Sequence, residues 1–361
     1  MNNRAVMIKQ KLAMLAKDLG PITIMEVCGT HTANIRRFGI QDLLPDNIRL
    51  VSGPGCPICV TPQKDIAAAL SLAKREDVIF TSFGDMMRVP CGQRTLYSLY
   101  EQGKDLRIVT SPLDAWRIAQ ENPKAQVVYF GIGFETTAPL TAALVEIADE
   151  YGTDNLSVLS VHKTIPPALR QLLKSGSNID ALLCPGHVAA IIGAKGFSFV
   201  SDQLMLPAAV AGFEADEIVA ALFSIARLLR RGEISCVNMY PRAVTKSGNK
   251  EALSLLDKVF EPCDALWRGL GKIYGSGLCL KERYQRFDAA LKFEIKIDDL
   301  EETANCICGR ILCGKGVPDD CPNFGTTCTP DRPLGACMVS SEGTCAAHYH
   351  YGGENNGCKK E

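Results

Sequence analysis

QVVYFGIGFETTAPLTAALVEIADE, residues 126–150, decides the fold. After Gln126 come four β-branched or aromatic residues, the types that favour strands. The glycine-bearing loop GIGFETTAP, 131–139, follows, and then a helical pattern over 139–150. A strand that passes through such a loop into a helix is one step of an α/β alternation. The same step recurs along the chain. Further strand candidates lie at 22–27, 48–51, 78–81, 107–110, 156–161 and 181–184, with helical patterns at 62–74, 113–121 and 166–175. Several strand candidates are continuous Val/Ile/Leu runs, as expected for a parallel sheet covered on both faces. The expected class is doubly wound, Rossmann-like α/β.

The strand ends carry unusual loops: CGTHT (28–32), GPGCPIC (53–59), FGDMMRVP (83–90), GIGFETTAP, VHKTIPP (161–167) and CPGH (184–187). Such folds place their sites in loops at the C-terminal ends of parallel strands. The loops recur at a spacing of about 100 residues, which predicts two similar units. The first, 20–117, holds CGTHT and CPIC; the second, 118–215, holds GFETTAP and PGH. Residues 216–361, with an N-terminal helix at 1–19, form a third, mostly helical and loop-rich domain ending in a cysteine-rich segment.

Composition limits the function. The 361 residues carry 39 basic and 40 acidic side chains, a formal net charge of −1, so no strong positive field for nucleic acid exists. No apolar run is long enough to cross a membrane. Lys9, Lys11 and Lys17 interrupt any signal-peptide core. Sixteen cysteines in a large chain with a normal apolar fraction point to metal or redox chemistry in the cytoplasm rather than secreted stapling.

Eight of those cysteines crowd the tail: Cys306, Cys308, Cys313, Cys321, Cys328, Cys337, Cys345 and Cys358. A segment so rich in Gly and Pro needs a cross-link to hold together. Wide spacings favour a [4Fe–4S] cluster over zinc knuckles, with disulfides third. Cys56-Pro57-Ile58-Cys59 reads as a redox dithiol or half a zinc site, its place before a helix favouring the former. In CGTHT, Cys28 and His31 could share a metal, or Cys28 could simply be buried. His187 and Glu135 could do acid–base work or bind turn backbone. His348 and His350 read as structural, and Cys91, Cys236, Cys263 and Cys279 as lone small hydrophobes. No GxxxxGK[ST] phosphate loop is present.

EVCGTHT, GPGCPICVTP, GFETTAP, PGHVAAIIG and CPNFGTTCTPDRPLGACMVSSEGTCAAHY together resemble the HypD family of hydrogenase maturation proteins over essentially the whole chain. The resemblance implies two similar α/β domains plus a third carrying a [4Fe–4S] cluster. It implies assembly of the Fe(CN)2CO group of nickel–iron hydrogenases, with a small HypC-like chaperone and a HypE-like cyanide donor supplied in turn by HypF. By motif, Cys28 would hold the transient iron with His31 as companion, and Cys56 and Cys59 would be the redox dithiol. The family's C-x14-C-x6-C-x16-C pattern falls on Cys306, Cys321, Cys328 and Cys345, with Cys308 competing for the first place. His187 and Glu342 match further functional positions. A low-pKa thiolate at Cys28 would suit iron and cyanide. The rival readings are a cluster-dependent protein disulfide reductase and a zinc-stapled binding protein.

Overall fold

The computed structural model describes residues 3–174, 178–297 and 306–352. The chain opens with α1 (Asn3–Ala16), β1 (Ile22–Glu26), α2 (Gly29–Arg37), β2 (Ile48–Ser52) and α3 (Gln63–Ala73). A second run follows: β3 (Val78–Ser82), α4 (Leu96–Glu101), β4 (Leu106–Ile108), α5 (Pro112–Glu121), β5 (Gln126–Gly131), α6 (Ala138–Glu150), β6 (Leu156–Ser160) and α7 (Ile165–Lys174). Next come β7 (Ala181–Pro185), α8 (Gly186–Ile192), α9 (Phe199–Asp202), β8 (Ala208–Ala211), α10 (Ala215–Arg231), β9 (Cys236–Asn238) and α11 (Lys250–Val259). A hairpin of β10 (Phe260–Trp267) and β11 (Gly271–Leu280) leads to the short helices α12 (Ala289–Lys292), α13 (Cys308–Leu312), α14 (Ala336–Val339) and α15 (Thr344–Tyr351).

The strands form two parallel sheets, as the alternation predicted. One has the order β2-β1-β7-β8-β9 and the other β4-β3-β5-β6. Counted within each sheet, both begin 2-1-3-4, a doubly wound order whose switch point lies between the first and third strands. Side chains of β3 and β7 are buried throughout, because helices cover both faces of each sheet.

The unit boundaries expected at 117/118 and 215/216 do not follow these sheets. β1 pairs with β7, Ile24 opposite Ala181, so the first sheet is built from both ends of the α/β region. The second sheet, β3 to β6, is inserted within it. The correspondence of loops changes accordingly: CGTHT after β1 matches FGDMM after β3, and CPGH after β7 matches GIGFETTAP after β5. Nor do 216–361 and the first helix form one domain. Leu12 and Ala16 of α1 and Ile218, Leu222 and Ile225 of α10 share a core with Ile24 and Leu183 of the first sheet. Leu255 and Leu256 of α11 pack against the core that Leu144 and Val145 of α6 share with β5 and β6. These amphipathic helices bury their stripes on whichever sheet lies nearest, leaving 306–352 as the cysteine-rich segment proper.

Three isolated cysteines have partners instead. Cys263 and Cys279 are joined by a disulfide across the hairpin. Cys236 lies beside Cys184, and the two thiols shift each other's pKa, Cys184 upward and Cys236 downward. Cys358 lies outside the described residues.

Candidate functional site

At the switch point of the first sheet, β1 and β7 lie side by side, and the chain leaving them carries Cys28 and His187. Cys28 is in extended conformation (φ −153°) and caps α2. The loop after β2 is pressed against it. A Cβ on Gly55 would stand 2.2 Å from the Cys28 nitrogen, so only glycine fits there. The Gly29 N–H donates to the Gly55 carbonyl at 3.0 Å. Interlocked loops thus bring CGTHT and CPIC together, as no sequence spacing could show.

Both loops line one cavity of about 190 Å³, with Cys28, Thr30, Gly55, Pro57, Phe134, Thr136, Thr137, His187 and Glu342 on its wall. It lies between the two sheet units, and Glu342 is contributed by the cysteine-rich segment. Cys56 and Cys59 sit just behind Pro57, buried and joined as a disulfide. α3 begins only at Gln63, so the pair stands in the preceding turn rather than on the helix N-terminus.

Cys28 is not the low-pKa thiolate expected. Burial pushes its thiol up to about 12, and Glu342 and Glu26 add to that effect; backbone donation from His31 opposes it. The His31 ring is turned elsewhere. Its Nε2–H donates to the Gly212 carbonyl at 2.8 Å, and the ring stacks on Phe213 at 4.7 Å. Burial holds its pKa down at about 4, so it is neutral. Phe213 also carries His187, stacked at 3.7 Å, whose pKa desolvation lowers. Glu135 is buried behind the cleft. One oxygen accepts from the Ile165 N–H at 3.0 Å, and burial raises the carboxyl to about 7.

Glu26, Thr30 and Phe213 escaped the sequence reading. Glu26 is buried at the end of β1, accepts from the Cys28 N–H at 3.0 Å and from the Thr32 hydroxyl, and burial raises it to about 7. Its signal was an acidic residue closing an otherwise apolar strand. Phe213 had none, because its role depends on two histidines stacking from different elements.

In the tail, Cys306, Cys308, Cys321, Cys328, Cys337 and Cys345 line a second cavity with the apolar walls Ile311, Phe324, Leu334 and Met338. All four ligands expected for a cluster are among them, and so are Cys308 and Cys337. Cys313 stands apart, its thiol 3.6 Å from the Gly269 carbonyl. Burial and neighbouring thiols raise Cys345. The Leu334 N–H donates to the Cys328 sulfur at 3.3 Å. Among the described residues no His, Cys, Asp or Glu set is gathered to hold a single metal ion. A cubane makes a different demand, since each thiolate binds its own iron and the four stand around the cluster rather than on one point. A soft, sulfur-rich, apolar shell with backbone N–H donors fits it. His348 lies 2.8 Å from Asp319, in keeping with a structural role.

A family model described as HypD, "Hydrogenase formation hypA family", matches residues 3–352. The hydrogenase maturation factor HypD2 of Bradyrhizobium diazoefficiens is 42% identical over 341 residues, 92% of this chain and 90% of that relative. HypD of Escherichia coli K12 is 43% identical over 335 residues, covering 92% and 89%. HypD of Rhodobacter capsulatus is 40% identical over 354 residues, covering 95% and 94%. Matched over residues 3–352 by the family's model, with Cys28 in one cleft and the tail cysteines gathered around one cavity, this chain belongs to the HypD family of hydrogenase maturation factors.

Proposed function

We propose that the chain is the cytoplasmic scaffold on which the Fe(CN)2CO group of nickel–iron hydrogenases is assembled. One observation carries the reading: a single cleft is walled by Cys28, by the loop of the Cys56–Cys59 disulfide and by Glu342 of the cysteine-rich segment. Iron, the cargo, is held by Cys28 with a second ligand from a small HypC-like chaperone, and a HypE-like protein delivers cyanide. Because burial keeps the Cys28 thiol protonated at neutral pH, it becomes a ligand only as the metal displaces its proton. His187 faces the same cavity and can donate a hydrogen bond to a small anion there.

Cys306, Cys321, Cys328 and Cys345 would hold a [4Fe–4S] cluster, which when bound supplies one-electron transfer. The Cys56–Cys59 disulfide opens to two thiols by taking up two electrons and two protons, the electrons coming from a low-potential one-electron donor. The pair is only 4% and 0% exposed, which disfavours a protein disulfide as its direct partner and so a general reductase role.

Cys28→Ser tests the proposal. The hydroxyl keeps the volume but not the soft ligand, so the variant should fold, keep its brown colour and bind the chaperone. Its complex should lack the cyanide and carbonyl infrared bands. Bands at wild-type intensity would remove Cys28 from the iron site.

A further inference from the structure

The turn joining β10 to β11 touches all three cysteine-bearing regions. Trp267 stacks on Phe134 of the Cys28 cleft, ring centroids 5.8 Å apart. The Arg268 N–H donates to the Val60 carbonyl at 2.8 Å, one residue beyond Cys59. Gly269, at φ +77°, lies back to back with Gly309: a Cβ on Gly269 would stand 2.2 Å from the Gly309 Cα. Hairpin turn and α13 are therefore in direct backbone contact.

Arg268 sits at this junction and is only 4% exposed. With Cys306 and Cys308 it lines an opening of about 300 Å³ beside the cysteine cavity. Its positive charge thus stands beside the cysteines that would carry the cluster's negative charge. Arg310 lines the same opening but is exposed, so water screens it. A guanidinium stays charged at any working pH, and charge acts most strongly where water is excluded. Burying one is costly, and packing alone could be done by an apolar chain.

We infer that Arg268 is a positioning residue that sets the reduction potential of the cysteine cavity, while its backbone ties the dithiol loop to that cavity. The inference rests on reading the cavity as a [4Fe–4S] site. The step it tunes is the uptake of one electron from a low-potential one-electron donor. No bond is broken and no proton is needed, and the site gains one negative charge. A fixed positive charge nearby favours that reduced state.

The test uses the full chain, purified anaerobically, as wild type and as Arg268→Gln, Arg268→Met and Arg268→Lys. Iron and sulfide are counted first. The midpoint is then titrated with dithionite and mediators and read by electron paramagnetic resonance. In both neutral variants the reduced-to-oxidised ratio at a fixed potential should fall about tenfold, a midpoint more negative by ~59 mV for a one-electron couple. Arg268→Lys should stay near wild type, which a purely structural role would not require. A wild-type chain without iron and sulfide would overturn the cluster reading and this inference together. A loaded Arg268→Gln or Arg268→Met with the wild-type midpoint overturns the inference alone. So does a lysine variant shifted as far as the neutral ones. Failure of both neutral variants to load, beside a loaded wild type, would assign Arg268 to structure instead.

Discussion

The Thr30 hydroxyl donates a 2.6 Å hydrogen bond to the Glu342 carboxylate across 312 residues of chain. This contact seats the cysteine-rich segment against the loop that presents Cys28. It is tight: a Cβ on Gly29 would stand 2.6 Å from that of Glu342. Thr30→Ala and Glu342→Gln should each cost about 1 kcal/mol in denaturant unfolding. Because both act through one bond, the double variant should cost less than the sum. Strict additivity would show the contact is not made in solution.

The cluster proposed for the cysteine cavity predicts a coupled loss of metal and order. Cys321→Ala or Cys328→Ala should abolish the broad visible absorption of a cubane and make residues 306–352 sensitive to protease, since this segment has little apolar core of its own. Full iron and sulfide content in both variants would reassign the ligands.

Glu135 predicts a pH dependence. Its carboxyl is ordinarily near 4.5 and is raised to about 7 by burial. Below 4.5 folded and unfolded chains are both protonated there. Between 4.5 and 7 the unfolded chain releases a proton that the folded one keeps. Its contribution to stability is therefore fully present at low pH and lost as pH rises through 7. Relative to wild type, Glu135→Gln should gain about 3 kcal/mol between pH 4.5 and 7.5. Comparing the pair cancels the opposite drift of buried His31, which becomes less stabilising as pH falls. Parallel curves for the two proteins would contradict the burial argument.

The hairpin disulfide predicts a redox-dependent stability. Cys263 and Cys279 enclose a loop of sequence separation 16, for which chain entropy allows about 3 kcal/mol. Cys263→Ser should lower the unfolding midpoint of the oxidised protein and leave that of the fully reduced protein nearly unchanged.

Strands and helices were legible wherever apolar runs were long, as at residues 126–150. Which sheet each strand joins was not, because pairing such as Ile24 with Ala181 is set by tertiary packing. β8 went unread because Ala-Ala-Val-Ala carries little strand preference, and β10 because Pro262, Cys263 and Asp264 break its alternation. Cysteines announce themselves by type, so Cys28, the CPIC pair and the tail cysteines could be picked out from sequence as candidates. Glu26 and Arg268 could not, since burial and neighbours give an ordinary acid and an ordinary base their roles. Burial of Cys28 was one of two open readings, and only tertiary packing decides that it dominates the thiol pKa.

The insertion of one sheet within the other also orders the chain in time. β3 to β6 are contiguous, so this sheet can close as soon as its own residues have left the ribosome. The other cannot. Thr23 meets Asp180 across 157 residues, and closing that loop is unfavourable until the inserted unit has folded and drawn its ends together. Until β7 is synthesised, β1 waits with one edge unpaired, a ready template for a stray strand. The most aggregation-prone moment of synthesis should therefore fall just before Ala181 emerges.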